Sequence, residues 1–140
     1  MKKLAYIVPI AALIVGLITC IIIITAGDRA GRGKALAIND IQSDPLSFVG
    51  QITLNGIVTG FAEEDTTIFG IMDTAELLAC KNPSCGAYVQ PVRYTGATPL
   101  PEFVDEVDVV GTFVREDGIS MPVFVATSFE VKRNVMSLLT

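Results

Sequence analysis

The stretch Val92-Arg-Tyr-Thr-Gly-Ala-Thr-Pro-Leu-Pro-Glu-Phe-Val-Asp-Glu-Val-Asp-Val-Val-Gly-Thr-Phe113 decides the fold. It reads as the end of one strand, a breaker, a single helical turn bracketed by prolines, and a new strand whose apolar residues Val107, Val109 and Phe113 alternate. Strand, corner helix and strand in that order suit a small five-stranded Greek-key barrel, with one helix between the third and fourth strands plugging the barrel end. Three strands are then expected up to Tyr94 and two from Val107 onward.

Working outward, Gln51-Ile-Thr-Leu-Asn-Gly-Ile-Val-Thr59 puts Ile52, Leu54 and Val58 on one face, with Gly56 between them. A glycine there lets a small barrel's strand bend sharply. Phe61-Ala-Glu-Glu-Asp65 connects to a second strand over residues 66–73, and residues 87–94 read as the third. Pro91 belongs at an edge or bulge, because it cannot donate a ladder hydrogen bond. Glu116-Asp-Gly118 is a hairpin signal between strands at 107–115 and 121–132. In the last strand Val123, Val125, Phe129 and Val131 are expected to share one face. The order is that of an OB-fold. The expected class is all-β, a five-stranded OB-fold-like Greek-key barrel with one short helix between strands 3 and 4, preceded by one N-terminal transmembrane helix. The domain is placed at residues 48–133 and a C-terminal tail at 134–140.

The anchor rests on residues 4–25, a run without charge that includes Ile21-Ile-Ile-Ile24. Such a run is long enough to cross a hydrocarbon core of about 30 Å as a helix. Lys2 and Lys3 before it favour a cytoplasmic N-terminus, although Arg29, Arg32 and Lys34 flank the other end. A cleaved signal peptide and a lipoprotein signal at Leu17-Ile-Thr-Cys20 are the competing readings. The anchor is taken as 1–26 and residues 27–47 as linker and approach segment, the linker being the Gly-rich residues 27–33. The leading lysines favour a domain on the extracytoplasmic side of a cytoplasmic membrane, an orientation that rests also on the family resemblance given below.

Residues 35–130 hold 14 Asp and Glu against 3 Lys and Arg. Phosphate backbones are repelled by such a surface, so nucleic acid is excluded as a partner. The chain has no histidine, so the usual neutral-pH general base is missing. No nucleophile–base, Walker or dinucleotide pattern is present, and the chain reads as a non-enzyme.

The run from Val92 through Gly111, together with Phe124-Val-Ala-Thr-Ser-Phe-Glu-Val-Lys132 and Val49-Gly-Gln before the first strand, resembles the CcmE family of haem chaperones in cytochrome c maturation. The likeness covers residues 48–133 and is carried by strand, turn and glycine positions. It implies an anchored periplasmic OB-fold that receives haem and delivers it to cytochrome-maturation or other membrane-protein partners. In that family a histidine just after the last strand, with a tyrosine four residues on, attaches haem covalently. Here Arg133 stands at the histidine place and Ser137 at the tyrosine place. The competing reading is a binding or scaffold subunit of a membrane complex that has lost haem attachment.

Cys80-Lys-Asn-Pro-Ser-Cys85 is inserted between the second and third strands. In an oxidising compartment the two cysteines could close a disulfide loop. They could also act as a redox or haem-contacting thiol pair, or as half of a metal site completed by Asp73 and Glu76 or by a partner. Axial haem ligation without covalent attachment would draw on Cys80, Cys85, Tyr88, Tyr94 and Met136. Glu63, Glu64, Asp65, Glu116 and Asp117 form an acidic rim on the two loops beside the OB-fold binding face, which favours a basic protein partner.

Overall fold

The computed structural model describes residues 33–139. The expected anchor at 1–26 and the first part of the linker lie outside them. Among the described residues no helix is long and apolar enough to cross a membrane. The elements are β1 (Leu36–Ala37), α1 (Ile38–Ile41), a 3-10 turn (Pro45–Ser47), β2 (Ile52–Phe61), β3 (Ile68–Met72), α2 (Thr74–Cys80), β4 (Gln90–Tyr94), β5 (Asp105–Val114), β6 (Val123–Asn134) and α3 (Met136–Leu139).

The structure is mostly β. Its strands run in the order β1-β2-β3-β4-β6-β5, and β5 pairs back onto β2, so five of them close into a barrel. Within that ring β4 and β6 are parallel and every other pair is antiparallel. β2 makes closure possible by serving two neighbours. Residues Ile52 to Ile57 pair with β5, and Ile57 to Phe61 pair with β3. The handover sits beside Gly56, where a Cβ would come 2.8 Å from the Met72 carbonyl oxygen and 3.2 Å from the Ile71 Cβ. Only glycine lets the strands approach that closely.

Alternation along the strands fills the barrel. Leu54, Val58, Phe69, Ile71, Val92, Val107, Val109 and Phe124 are fully buried in one cluster, each worth roughly 1.5 to 3 kcal/mol relative to exposure. Ile38 and Ile41 of α1 are buried in the same cluster, so the core takes in residues that read as approach segment. A second cluster outside the barrel joins Ile57, Met72, Leu77, Val104 and Val135.

Two expectations are corrected. No helix forms between the third and fourth barrel strands, and residues 95–104 run irregularly. Thr98 and Leu100 each precede a proline, whose ring pushes the preceding residue out of the helical region. The corner is made instead by Val104 at φ 58°. Its N–H donates to the Val58 carbonyl at 2.8 Å, and its own carbonyl accepts from Val135 at 3.0 Å. The helix of the barrel is α2, between the second and third strands, and it is written in the sequence as Asp73-Thr-Ala-Glu76. Asp73 caps it, accepting from the N–H groups of Ala75 at 2.9 Å and Glu76 at 3.3 Å.

The last strand also differs from its expected pattern. Val110 pairs with Ser128 but Gly111 pairs with Ala126, so Thr127 is bulged out. The bulge exchanges the faces. Phe124 and Ala126 point inward before it and Phe129 after it, while Val131 is exposed.

Candidate functional site

β2, β3 and β4 carry one apolar groove on their outer face, about 390 Å³ in volume. Its floor follows from register. Gly60 pairs with Gly70, and Gly70 pairs with Pro91, so three neighbouring strands place two glycines and a proline in one row. The bulge between Val58 and Gly60 brings Gly60 into that row. A Cβ on Gly70 would lie 2.6 Å from Val89 Cγ1, so the glycine lets Val89 fold down over the floor. A Cβ on Gly60 would meet nothing within 4 Å. Pro91 is tolerated because β3 flanks it on one side while the β6 pairing begins only at Val92.

Apolar side chains form the walls. Phe61 is 46% exposed and Val89 39%. Met121 faces them from the β5–β6 loop, and Pro83 from the segment after α2. Gln90 ties down Pro122, the residue after Met121. Gln90 is fully buried, and its Nε2 donates to the Pro122 carbonyl at 2.8 Å and to that of Pro91 at 2.9 Å. Its Oε1 accepts from the Tyr88 hydroxyl at 2.7 Å. Burial raises the Tyr88 phenol above its ordinary pKa. Tyr88, a candidate haem ligand in the sequence, is therefore part of the wall's support.

Pro83 is set by the cysteine loop. Cys80 ends α2, Lys81 turns the chain at φ 56°, and Cys80 and Cys85 form a disulfide with Cα atoms 6.6 Å apart. The Asn82 side chain accepts from Ser84 N–H at 2.9 Å, and its carbonyl accepts from Cys85 N–H at 3.1 Å. Glu76 takes the Ala87 N–H at 3.0 Å, which ties the loop exit to the helix. Asp73 caps α2 and also accepts from Asn39 N–H at 3.2 Å. Both carboxylates suggested as extra metal ligands thus serve the backbone.

The structure brings part of the acidic rim together. Asp65 and Glu116, from the β2–β3 and β5–β6 loops, both pair with Arg93 of β4, Asp65 at 3.5 Å. Arg93 stands opposite Ile68, which lines the groove, so the rim continues from the groove's end. Asp65 also accepts from the Thr67 hydroxyl at 2.5 Å and its N–H at 2.9 Å. These bonds, with Arg93 adding to them, hold its carboxyl below the usual range. Glu63, Glu64 and Asp117 are exposed on the same loops.

Met136 is not a groove residue. It starts α3, exposed, beside Val135 in the second cluster. Tyr94 is buried in the barrel against Phe129, and Arg133 pairs with Glu106 at 2.6 Å. Sequence reasoning missed Gln90, Arg93, Met121 and the Gly60–Gly70 row. Glycines in adjacent strands were visible, but only register shows that they pair. A second groove of about 430 Å³ over β2, β5 and β6 is mixed, with Asp108, Glu130 and Lys132 beside Val110 and Phe129. Asp108 there pairs with Lys132 at 3.1 Å and accepts from Asn55 at 2.8 Å. The chain matches no protein-family model, and no curated protein is significantly similar to it.

Proposed function

We propose that this chain is a membrane-anchored, extracytoplasmic OB-fold protein of the haem-chaperone type, which acts by binding and not by catalysis and uses the β2–β3–β4 groove as its ligand surface. Counted from β2, the barrel order is 1-2-3-5-4, with strands 3 and 5 parallel, which supports the OB-fold assignment. OB-folds bind ligands over strands 2 and 3, between the 1–2 and 4–5 loops. The apolar groove and its rim occupy that place. The observation that carries the reading is the row Gly60, Gly70 and Pro91 between exposed apolar walls.

Haem enters as cargo. The residues do not fit covalent attachment, because the histidine is missing, Cys80 and Cys85 are bonded to each other, and Tyr88 is held by Gln90. Haem held by contact fits better. Met121 is the soft donor among the described residues lining the groove, and thioether ligation of haem iron is established chemistry. The test is a haemin titration of the full-length protein in detergent, read by absorbance. A shifted Soret band that Gly60→Leu abolishes is the expected result. Absence of any band removes haem and leaves the second reading, a non-catalytic binding subunit of a membrane complex, which the Arg93-clamped acidic rim favours.

A further inference from the structure

We infer that the groove and its rim form a docking site for a polypeptide segment whose apolar side chains are flanked by lysine or arginine. The inference rests on the groove being the binding surface and adds the chemistry of its occupant. β3, in the middle of the floor, offers no free strand edge, since it is paired to both β2 and β4. An occupant lying over β3 therefore engages the floor through side chains. Phe61, Val89, Pro83 and Met121 accept apolar ones, and the space above Gly60 lets them reach the floor.

Charge decides what flanks those side chains. The two rim loops carry Glu63, Glu64, Asp65, Glu116 and Asp117 against Arg115 and the neighbouring Arg93. Arg93 is engaged by Asp65 and Glu116. Glu63, Glu64 and Asp117 remain exposed beside an apolar surface. Cations on the occupant are attracted there and anionic groups are repelled, so haem in the same groove would turn its propionates away from this rim. Apolar contact and positive charge within one molecule describe a basic-apolar polypeptide. The walls are set in advance by the disulfide loop and by Gln90, which lowers the ordering cost of binding.

The experiment uses full-length protein in maltoside micelles, with empty micelles as blank. Three fluorescent peptides share an alternating leucine and phenylalanine centre and carry lysine, serine or glutamate pairs at both ends. Fluorescence anisotropy should show the lysine peptide binding about tenfold more tightly than the glutamate peptide at low salt, with the gap closing at high salt. Gly60→Leu, whose Cβ meets nothing within 4 Å, should weaken the lysine and serine peptides while leaving the unfolding midpoint in place. Combined Glu63→Gln, Glu64→Gln and Asp117→Asn should weaken only the lysine peptide, by about fivefold.

Serine and lysine peptides that bind equally, both sensitive to Gly60→Leu, would leave the groove standing and overturn the inferred partner. No peptide binding, or binding indifferent to Gly60→Leu, would overturn polypeptide docking, while the Soret titration decides haem separately. Self-association displaced by the lysine peptide would overturn it in favour of a second copy of this chain.

Discussion

Two grooves of nearly equal size lie on one barrel, and only one of them carries charged side chains. Over β2, β5 and β6 the groove carries Asp108, Glu130 and Lys132, and Lys132 pairs with both carboxylates. Over β2, β3 and β4 the walls are Phe61, Val89, Pro83 and Met121 above a floor of glycine and proline. Polar residues on the first face do what an outer barrel face needs for solubility. Apolar side chains on the second lose about 25 cal/mol for each Å² left in water. They gain that back only when something covers them. The comparison teaches that the barrel itself does not select the binding face, since the same β2 contributes to both.

The change expected to separate the faces most strongly is Gln90→Leu. It keeps the volume but removes the acceptor for Tyr88 and the donor to the Pro122 carbonyl, leaving polar groups without partners at a buried site. A loss of about 2 to 3 kcal/mol is expected in denaturant unfolding. Pro122, the residue after Met121, also loses its tie, so ligand binding at the apolar groove should fall with stability. Replacing Lys132 on the charged face should disturb neither to that degree, because partly exposed ion pairs contribute little. Equal effects from the two substitutions would erase the distinction between the faces.

Next in size is the disulfide. Replacing Cys80 and Cys85 with serine releases a short loop, worth about 2 kcal/mol in the chain-entropy account. Pro83 then loses its fixed place in the wall. Thermal unfolding with and without reductant measures the first effect, and peptide or haemin affinity the second. A midpoint indifferent to reductant would show that the bond does not support the fold.

How far the sequence foretold these faces depends on what kind of information each needed. The five barrel strands were legible because alternation and turn signals are local, as at Gln51 to Thr59 and at Glu116-Asp-Gly118. The helix was misplaced because one prolyl turn at 98–101 looked like a helix start. Asp73, the cap of the better helix start Asp73-Thr-Ala-Glu76, was read as the end of a strand. The acidic rim was legible as composition, yet its gathering by Arg93 was not, since Arg93 lies far in sequence from Asp65 and Glu116. Haem ligands were sought by side-chain type, among Cys, Tyr and Met residues that could reach an iron. Tyr88 proved to support a wall, while Met121 lines the groove.

The smallest effect tests the two faces at opposite ends of the pH scale. Asp65, at the rim of the apolar groove, has its folded carboxyl pKa held below the ordinary 3.8, first by the Thr67 hydroxyl and then by the Thr67 N–H, with Arg93 adding to both. Its contribution to stability is therefore complete above that ordinary value and is lost as pH falls through the lower, folded one. Lys132, on the charged face, is held above the ordinary 10.5 by its hydrogen bond to Asp108. Its contribution is complete below 10.5 and is lost as pH rises through the folded value. Asp65→Asn should flatten the acid limb of a stability–pH profile and leave the alkaline limb alone, while Lys132→Gln should do the reverse. The magnitudes are small because both groups face solvent, but the separation is qualitative. If either substitution moves the opposite limb, the two faces are coupled through the barrel, and the charged face would no longer serve as an independent control for the binding one.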